Sequence, residues 1–262
     1  MALILPSALS SATSRGLWQL EWRRMTRTPR AVALIAVYVL FGLIEPLSTR
    51  YQNQLINHVS HGVHIQLPPP APADALSAYT SQVATIGLIV VVAIAASSLT
   101  FDARHGLAVF LRSRATVTQL VWPRFAVSAA AAAVAYMLGT LAAWYETSLL
   151  IGSLPARPVL AGILCGIVYL AFAVALTALA ASFVRSTVGA TGITLAVLLL
   201  IPVAGTYHVI SRWLPSALVS APASLTGGAH QLRYYAPALI VTAVASRAIL
   251  LGAVLRLRNR EV

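Results

Sequence analysis

The chain has 262 residues, of which 59% are hydrophobic and 9% are charged, and its mean hydropathy is +0.83. A soluble globular domain usually carries about 25% charged residues, so this chain has too little polar surface to cover a water-facing body. Its length is sufficient for about six membrane helices of roughly 20 residues each, joined by short loops. All 18 basic residues are arginines. Without lysine, the chain lacks the phosphate-binding lysine of a P-loop and cannot form a lysine Schiff base.

The net charge of +12 does not indicate a nucleic-acid-binding protein, because the arginines fall in short runs between apolar segments. Such runs are typical of membrane proteins, where they set the orientation of the helices. The single cysteine, Cys165, excludes a disulfide framework and a thiolate metal cluster. The HExxH and GxSxG motifs are also absent from the sequence, so we do not expect an intramembrane enzyme.

The first predicted element is a short interfacial elbow helix, Leu17–Arg27, which follows a loose end over residues 1–14. The apolar face of this helix consists of Trp18, Trp22 and Met25. The opposite, basic face consists of Arg23, Arg24 and Arg27. We expect the aromatic side to lie in lipid and the guanidinium groups to face the headgroups. The helix is either an elbow that borders a cytoplasmic partner or a passive anchor.

Six charge-poor windows predict the spans of an all-α integral membrane protein, arranged as a single transmembrane domain over residues 1–262. The spans cover approximately residues 31–49, 83–101, 125–151, 159–184, 187–207 and 236–255. Thirteen arginines fall on the side of the N-terminus and four on the other side. We therefore expect both termini of this multi-pass protein to face the cytoplasm.

Two further stretches bear on how the spans are arranged. Residues 211–228 are apolar but contain Pro215 and Pro222, which predicts an external re-entrant hairpin between spans five and six. The run Ala129–Ala133 gives span three a face of small residues. Small side chains allow helices to approach closely in lipid, so we expect this span to pack inside the bundle.

The cytoplasmic segment between spans two and three, residues 101–124, combines acidic, apolar and basic positions in a short space. An acidic residue is followed by a glycine, an apolar i, i+3, i+4 set and further arginines. The residues in question are Asp102, Arg104, Gly106, Leu107, Phe110, Leu111, Arg112 and Arg114. The pattern predicts either a short amphipathic helix that contacts a soluble subunit or a loop whose arginines only set the orientation.

This segment resembles the connector between the second and third spans of ABC type-2 transporter permeases. In that family an acidic residue, a glycine, a hydrophobic run and a basic residue opening span three recur, and Arg124 stands at that last position here. The turn Arg185–Gly189 is similar to the family's short cytoplasmic turn. The stretch Leu214–Leu218 is similar to its external re-entrant region. With the elbow helix and the six spans, the resemblance covers nearly the whole chain.

The resemblance implies the permease subunit of a bacterial ABC exporter in the cell (inner) membrane. A separate ATP-binding subunit, which carries ATP and Mg²⁺, would dock on residues 101–124, which we call the coupling segment. This chain would bind no cofactor and have no enzymatic activity of its own. A second six-span subunit, identical or different, would complete the pathway. Because the spans carry few fixed charges, we expect a hydrophobic or amphipathic substrate such as a drug, antibiotic or lipid-like molecule. The alternative is a secondary transporter or channel that acts without ATP.

Several other ionisable residues have two interpretations each. Glu45 and Glu146, near the outer ends of spans one and three, either line the pathway or snorkel to the interface. Arg247, within span six, either snorkels to the cytoplasmic headgroups or pairs across the dimer. Three histidines recur in the external loop, namely His58, His61 and His64. No carboxylate lies near them, so we expect a solvated loop and no metal site.

Overall fold

The computed structural model describes residues 7–52, 54, 68–100, 116–205 and 211–259. Within these ranges the regular secondary structure is helical. The helices are α1 (Ser7–Arg27), α2 (Pro29–Arg50), α3 (Pro72–Gln82), α4 (Leu88–Leu99), α5 (Val117–Leu150), α6 (Ala156–Phe183), α7 (Thr187–Ala204), α8 (Ala217–Thr226) and α9 (Leu232–Asn259). A π-helical segment, Val83–Gly87, joins α3 to α4 into one continuous helical rod, Pro72–Leu99. We call it the second rod because it contains most of the second predicted span.

Five helical stretches in the described part of the chain are long and apolar enough to cross a membrane, namely α2, the rod Pro72–Leu99, α5, α6 and α9. They confirm the predicted all-α membrane protein. The predicted fifth span coincides with α7, which has 18 residues and is therefore about 27 Å long. This is slightly less than the roughly 30 Å of a hydrocarbon core, so the membrane crossing by α7, the predicted fifth span, stays a prediction.

Two helices begin earlier than their apolar windows suggest. α1 begins at Ser7, so residues 7–14, which we expected to be a loose end, are helical. The second rod begins at Pro72, whose ring is suited to the first turn of a helix. The Asp74 carboxylate accepts a hydrogen bond from the Ala71 N–H at 2.9 Å and so caps this helix start. An apolar window marks where a helix can contact lipid, whereas capping residues decide where it begins.

The long helices alternate in direction and so define two ends of the bundle. At one end, α2 and α5 begin and α4, α6 and α9 finish. We call this end the basic end. Side chains join neighbouring helices there. The hydroxyl oxygens of Thr100 and Thr187 lie 2.9 Å apart. The Arg256 guanidinium lies 3.6 Å above the centre of the Phe183 ring, in a cation–π contact.

The centre of the bundle is α6, which packs against α4, α5, α7, α8 and α9. Alongside it, α2 and α5 approach each other through glycines. A methyl group on Gly139 would lie 2.6 Å from the Tyr38 carbonyl oxygen, and one on Gly42 would meet the Gly139 carbonyl oxygen. Only glycine allows the two backbones to come this close.

The region predicted as a re-entrant hairpin contains α8, whose ten residues span only about 15 Å. Leu218, on its inner face, is fully buried. Pro222 packs directly on α6, where a methyl group on Gly162 would lie 2.7 Å from the proline Cα. After α8 the chain turns at Gly228, whose φ of +73° is readily adopted only by glycine. The helix is therefore too short to cross the membrane and is held against the bundle.

Candidate functional site

A groove of about 460 Å³ opens at the end of the bundle opposite the basic end. One wall is formed by the second rod, a second wall by the last turns of α7 and a third by α8. Tyr169 of α6 contributes to its lining as well. Because α8 is pressed onto α6 by the Pro222–Gly162 contact, it stands beside the rod and closes one side of the groove.

The lining of the groove combines hydroxyl groups with apolar side chains, and none of its described residues is charged. The hydroxyls belong to Ser77, Thr80, Ser81, Thr85, Tyr169, Ser216 and Ser220. Thr80 donates to the Ser77 carbonyl oxygen at 2.9 Å, and Thr85 donates to the Ser81 carbonyl oxygen at 3.0 Å. A hydroxyl that donates to its own helix keeps its lone pairs available as acceptors. The groove can therefore hold an uncharged molecule with both apolar surface and polar groups.

A buried ion pair lies at the basic end. The Arg124 Nε of α5 donates to the Glu21 Oε1 of α1 at 2.9 Å. The two residues are 5% and 7% exposed. Arg24 lies farther from the same carboxylate, with Nη1 3.9 Å from Oε1, and is largely exposed. The pair attaches the elbow helix α1 to the first turns of α5, the helix that follows the predicted coupling segment.

Sequence reasoning singled out Arg124 but missed its partner, Glu21. A signal for it was present, because Glu21 is the single acidic residue in a helix that otherwise carries only arginines as charges. Buried charges in proteins are paired, so a lone carboxylate in a basic interfacial helix indicates an internal partner.

The elbow helix exposes its tryptophans and two of its arginines but buries its methionine. Trp18 and Trp22 are 45% and 55% exposed, and both Arg23 and Arg24 are exposed. The predicted placement of Met25 in lipid is wrong, because this residue is 6% exposed and packed inside the protein. The helical wheel separates apolar from polar positions, but it does not separate a lipid-facing position from one that packs on another helix.

The other ionisable residues do not gather into a cluster in the described ranges. Glu45 and Glu146 are half-buried, on the helix pair α2 and α5, and neither forms an ion pair with another described residue. Arg247 is exposed on α9, among exposed apolar side chains such as Val244 and Leu251. These positions leave both interpretations of each residue open.

The predicted coupling residues, Asp102 to Arg114, and the three histidines of the external loop lie outside the described residues. What the structure provides is therefore the groove, the buried ion pair and the helices that connect them.

Comparisons of the chain with models of known protein families, with curated proteins and with solved structures find no match.

Proposed function

We propose that the chain is the membrane-spanning permease subunit of an ATP-driven exporter in the bacterial cell membrane, with both termini in the cytoplasm. It moves a hydrophobic or amphipathic molecule, such as a drug, antibiotic or lipid-like compound. A separate ATP-binding subunit, which binds ATP and Mg²⁺, supplies the energy. A second six-span permease subunit completes the pathway.

The observation that carries the transport part of this proposal is the groove. Its lining of hydroxyl and aliphatic groups suits an uncharged amphipathic molecule and would not compensate the desolvation of a strongly charged one. The dependence on ATP rests on the resemblance of residues 101–124 to the connector of ABC type-2 permeases. The walls of the groove come from three separate segments, so small movements of these helices change its width.

The proposed route for the energy runs from the coupling segment into α5. Arg124 lies in the first turns of α5, where Glu21 joins it to α1. Farther along, α5 contacts α2 through the close approach at Gly42 and Gly139. Helices packed this tightly move as rigid bodies rather than deform. Movement of the coupling segment would therefore shift α1, α2 and α5 together.

Replacing Leu107, Phe110 and Leu111 together by aspartate tests the docking of the ATP-binding subunit. We expect the ATPase activity that co-purifies with the chain to fall at least tenfold, because three charges would disrupt an apolar contact. The measurement is ATP hydrolysis after affinity purification in detergent, with photolabelling by 8-azido-ATP to detect the partner. The matched control is Arg185→Asp, an exposed position in the turn between α6 and α7. Unchanged activity in the triple variant would contradict the docking proposal.

Replacing Ser220 by tryptophan tests the groove. This residue lies on α8 and lines the groove, so an indole there fills part of the space for a substrate. We expect ATP-dependent accumulation of Nile red in inverted membrane vesicles to fall at least fivefold, with the protein level unchanged. The control is Val244→Trp, since Val244 is 63% exposed on α9, outside the groove. Equal Nile red transport by both variants would exclude the groove from the pathway.

A further inference from the structure

The second membrane rod is interrupted at its middle by the π-helical segment Val83–Gly87. At the end of this segment the Leu88 N–H bonds to the Thr85 carbonyl oxygen, three residues back, and to the Val83 carbonyl oxygen, five residues back, instead of following the usual four-residue pattern. A π-helical segment is a wider turn with poorer packing, and helices kink at such segments. The two halves of the rod are thus joined at a turn where the regular hydrogen-bond pattern is broken.

Apart from α5, which contacts both, the two halves of the rod pack mainly on different neighbours. The first half, α3, contacts α2, α5 and α8, whereas the second half, α4, packs chiefly on α6, α7 and α5. The groove lies across the junction, since Thr80 lines it before the π-helical segment, Thr85 within the segment and Leu88 after it. A change of angle at the segment would move the α3 wall of the groove relative to its α7 wall.

Tyr38 of α2 lies against the same segment. A methyl group on Gly87 would lie 3.0 Å from the Tyr38 Cζ atom, so the ring is in close contact with the end of the π-helical turn. Tyr38 is 0% exposed, and its hydroxyl has no hydrogen-bond partner among the described residues. A buried hydroxyl without a partner is unfavourable, and phenylalanine would fill the same space without this penalty. This penalty would be offset if the hydroxyl found an acceptor in another arrangement of the segment.

We propose that Val83–Gly87 is a hinge that opens and closes the groove, and that the Tyr38 hydroxyl stabilises its second position. In the position seen here, the hydroxyl has no hydrogen-bond partner within the described part of the chain. When α3 tilts about the segment, the Tyr38 hydroxyl donates a hydrogen bond to a main-chain carbonyl oxygen of the widened turn. The hinge thus alternates between two states, one with the hydroxyl unsatisfied and one with it bonded. This proposal rests on the proposed function only in taking the groove as the place where a substrate binds.

The test measures distances across the groove by electron spin resonance in a Cys165→Ala background. One pair of nitroxide labels, at Ser77→Cys on α3 and Leu199→Cys on α7, spans the groove. A reference pair, at Ile89→Cys on α4 and Val188→Cys on α7, spans the other half of the rod. We expect two distance populations for the first pair and one for the reference pair, in nanodiscs of phosphatidylethanolamine and phosphatidylglycerol.

The variant Tyr38→Phe removes the hydroxyl and keeps the ring. We expect the second population to fall at least threefold, because only that state would use the hydroxyl. The control is Tyr145→Phe, since Tyr145 is 64% exposed, and its populations should match those of the unaltered chain. A single population across the groove, or populations that Tyr38→Phe leaves unchanged, would overturn the hinge. The chain is measured alone and without ATP, so a failure of the ATP-driven mechanism would not alter this readout.

Discussion

Replacement of Arg124 by alanine is expected to lower the free energy of unfolding by about 3–5 kcal/mol, the usual effect of removing one partner from a buried ion pair. The Glu21 carboxylate would then stay in a site where it is 7% exposed, without the guanidinium that lies 2.9 Å from it. The expected decrease of the thermal midpoint is on the order of 10 °C. Cys165, which is fully buried, allows the measurement with a thiol-reactive dye, because its thiol reacts only after unfolding.

Two further variants separate this effect from a general loss of packing. The double variant Glu21→Leu, Arg124→Leu replaces both charges by apolar groups and should be less destabilised than Arg124→Ala, since no unpaired charge remains. Arg24→Ala removes the distant, exposed partner at 3.9 Å and should change the free energy of unfolding by less than about 1 kcal/mol. If Arg124→Ala and Arg24→Ala unfolded at the same temperature, the pair would not hold α1 in place.

The second large effect on stability is expected where α2 and α5 approach each other closely. We expect Gly42→Ala and Gly139→Ala each to destabilise the protein by about 3 kcal/mol, at the upper end of what overpacking usually costs. In both cases the added methyl group would meet main-chain carbonyl oxygens of the neighbouring helix. Backbone atoms cannot move aside as the end of a flexible side chain can. The measurement is the same thermal unfolding with the thiol-reactive dye.

Gly192→Ala and Gly252→Ala are the matched controls, because beyond the local helix backbone no described atom lies within 4 Å of the added methyl group at either position. Alanine favours a helix over glycine by up to about 1 kcal/mol, so these variants should be as stable as the unaltered chain or slightly more so. If all four variants lost stability equally, the contact between α2 and α5 would not have the geometry described above.

Composition and charge-free windows were sufficient to predict the membrane helices. A lipid-crossing segment must be apolar along its whole length and must satisfy its own main-chain hydrogen bonds, so local sequence determines it. The structure accordingly has long helices at five of the predicted spans. The sequence did not predict that α1 begins at Ser7, because the residues before Leu17 carry no lipid-crossing signal and only the fold shows them to be helical.

Contacts between helices were much less predictable. The run Ala129–Ala133 predicted close packing of span three, yet the closest approach found here occurs later on that helix, at Gly139 opposite Gly42. Which small residues face each other depends on where the neighbouring helix lies. The groove illustrates the same limit, because one of its walls is the second rod, which ends at Leu99, whereas the other two are α7 and α8, which begin no earlier than Thr187. Nothing in any one of these segments indicates the other two.

We propose above all that a separate ATP-hydrolysing subunit drives transport through this bundle. The most direct test is uptake of Nile red by proteoliposomes that contain either the affinity-purified chain with its co-purifying partner or the chain stripped of that partner by detergent washing. The account predicts uptake that requires ATP, Mg²⁺ and the partner. Uptake by the stripped chain alone, driven by a proton or sodium gradient without ATP, would contradict it and would favour a secondary transporter.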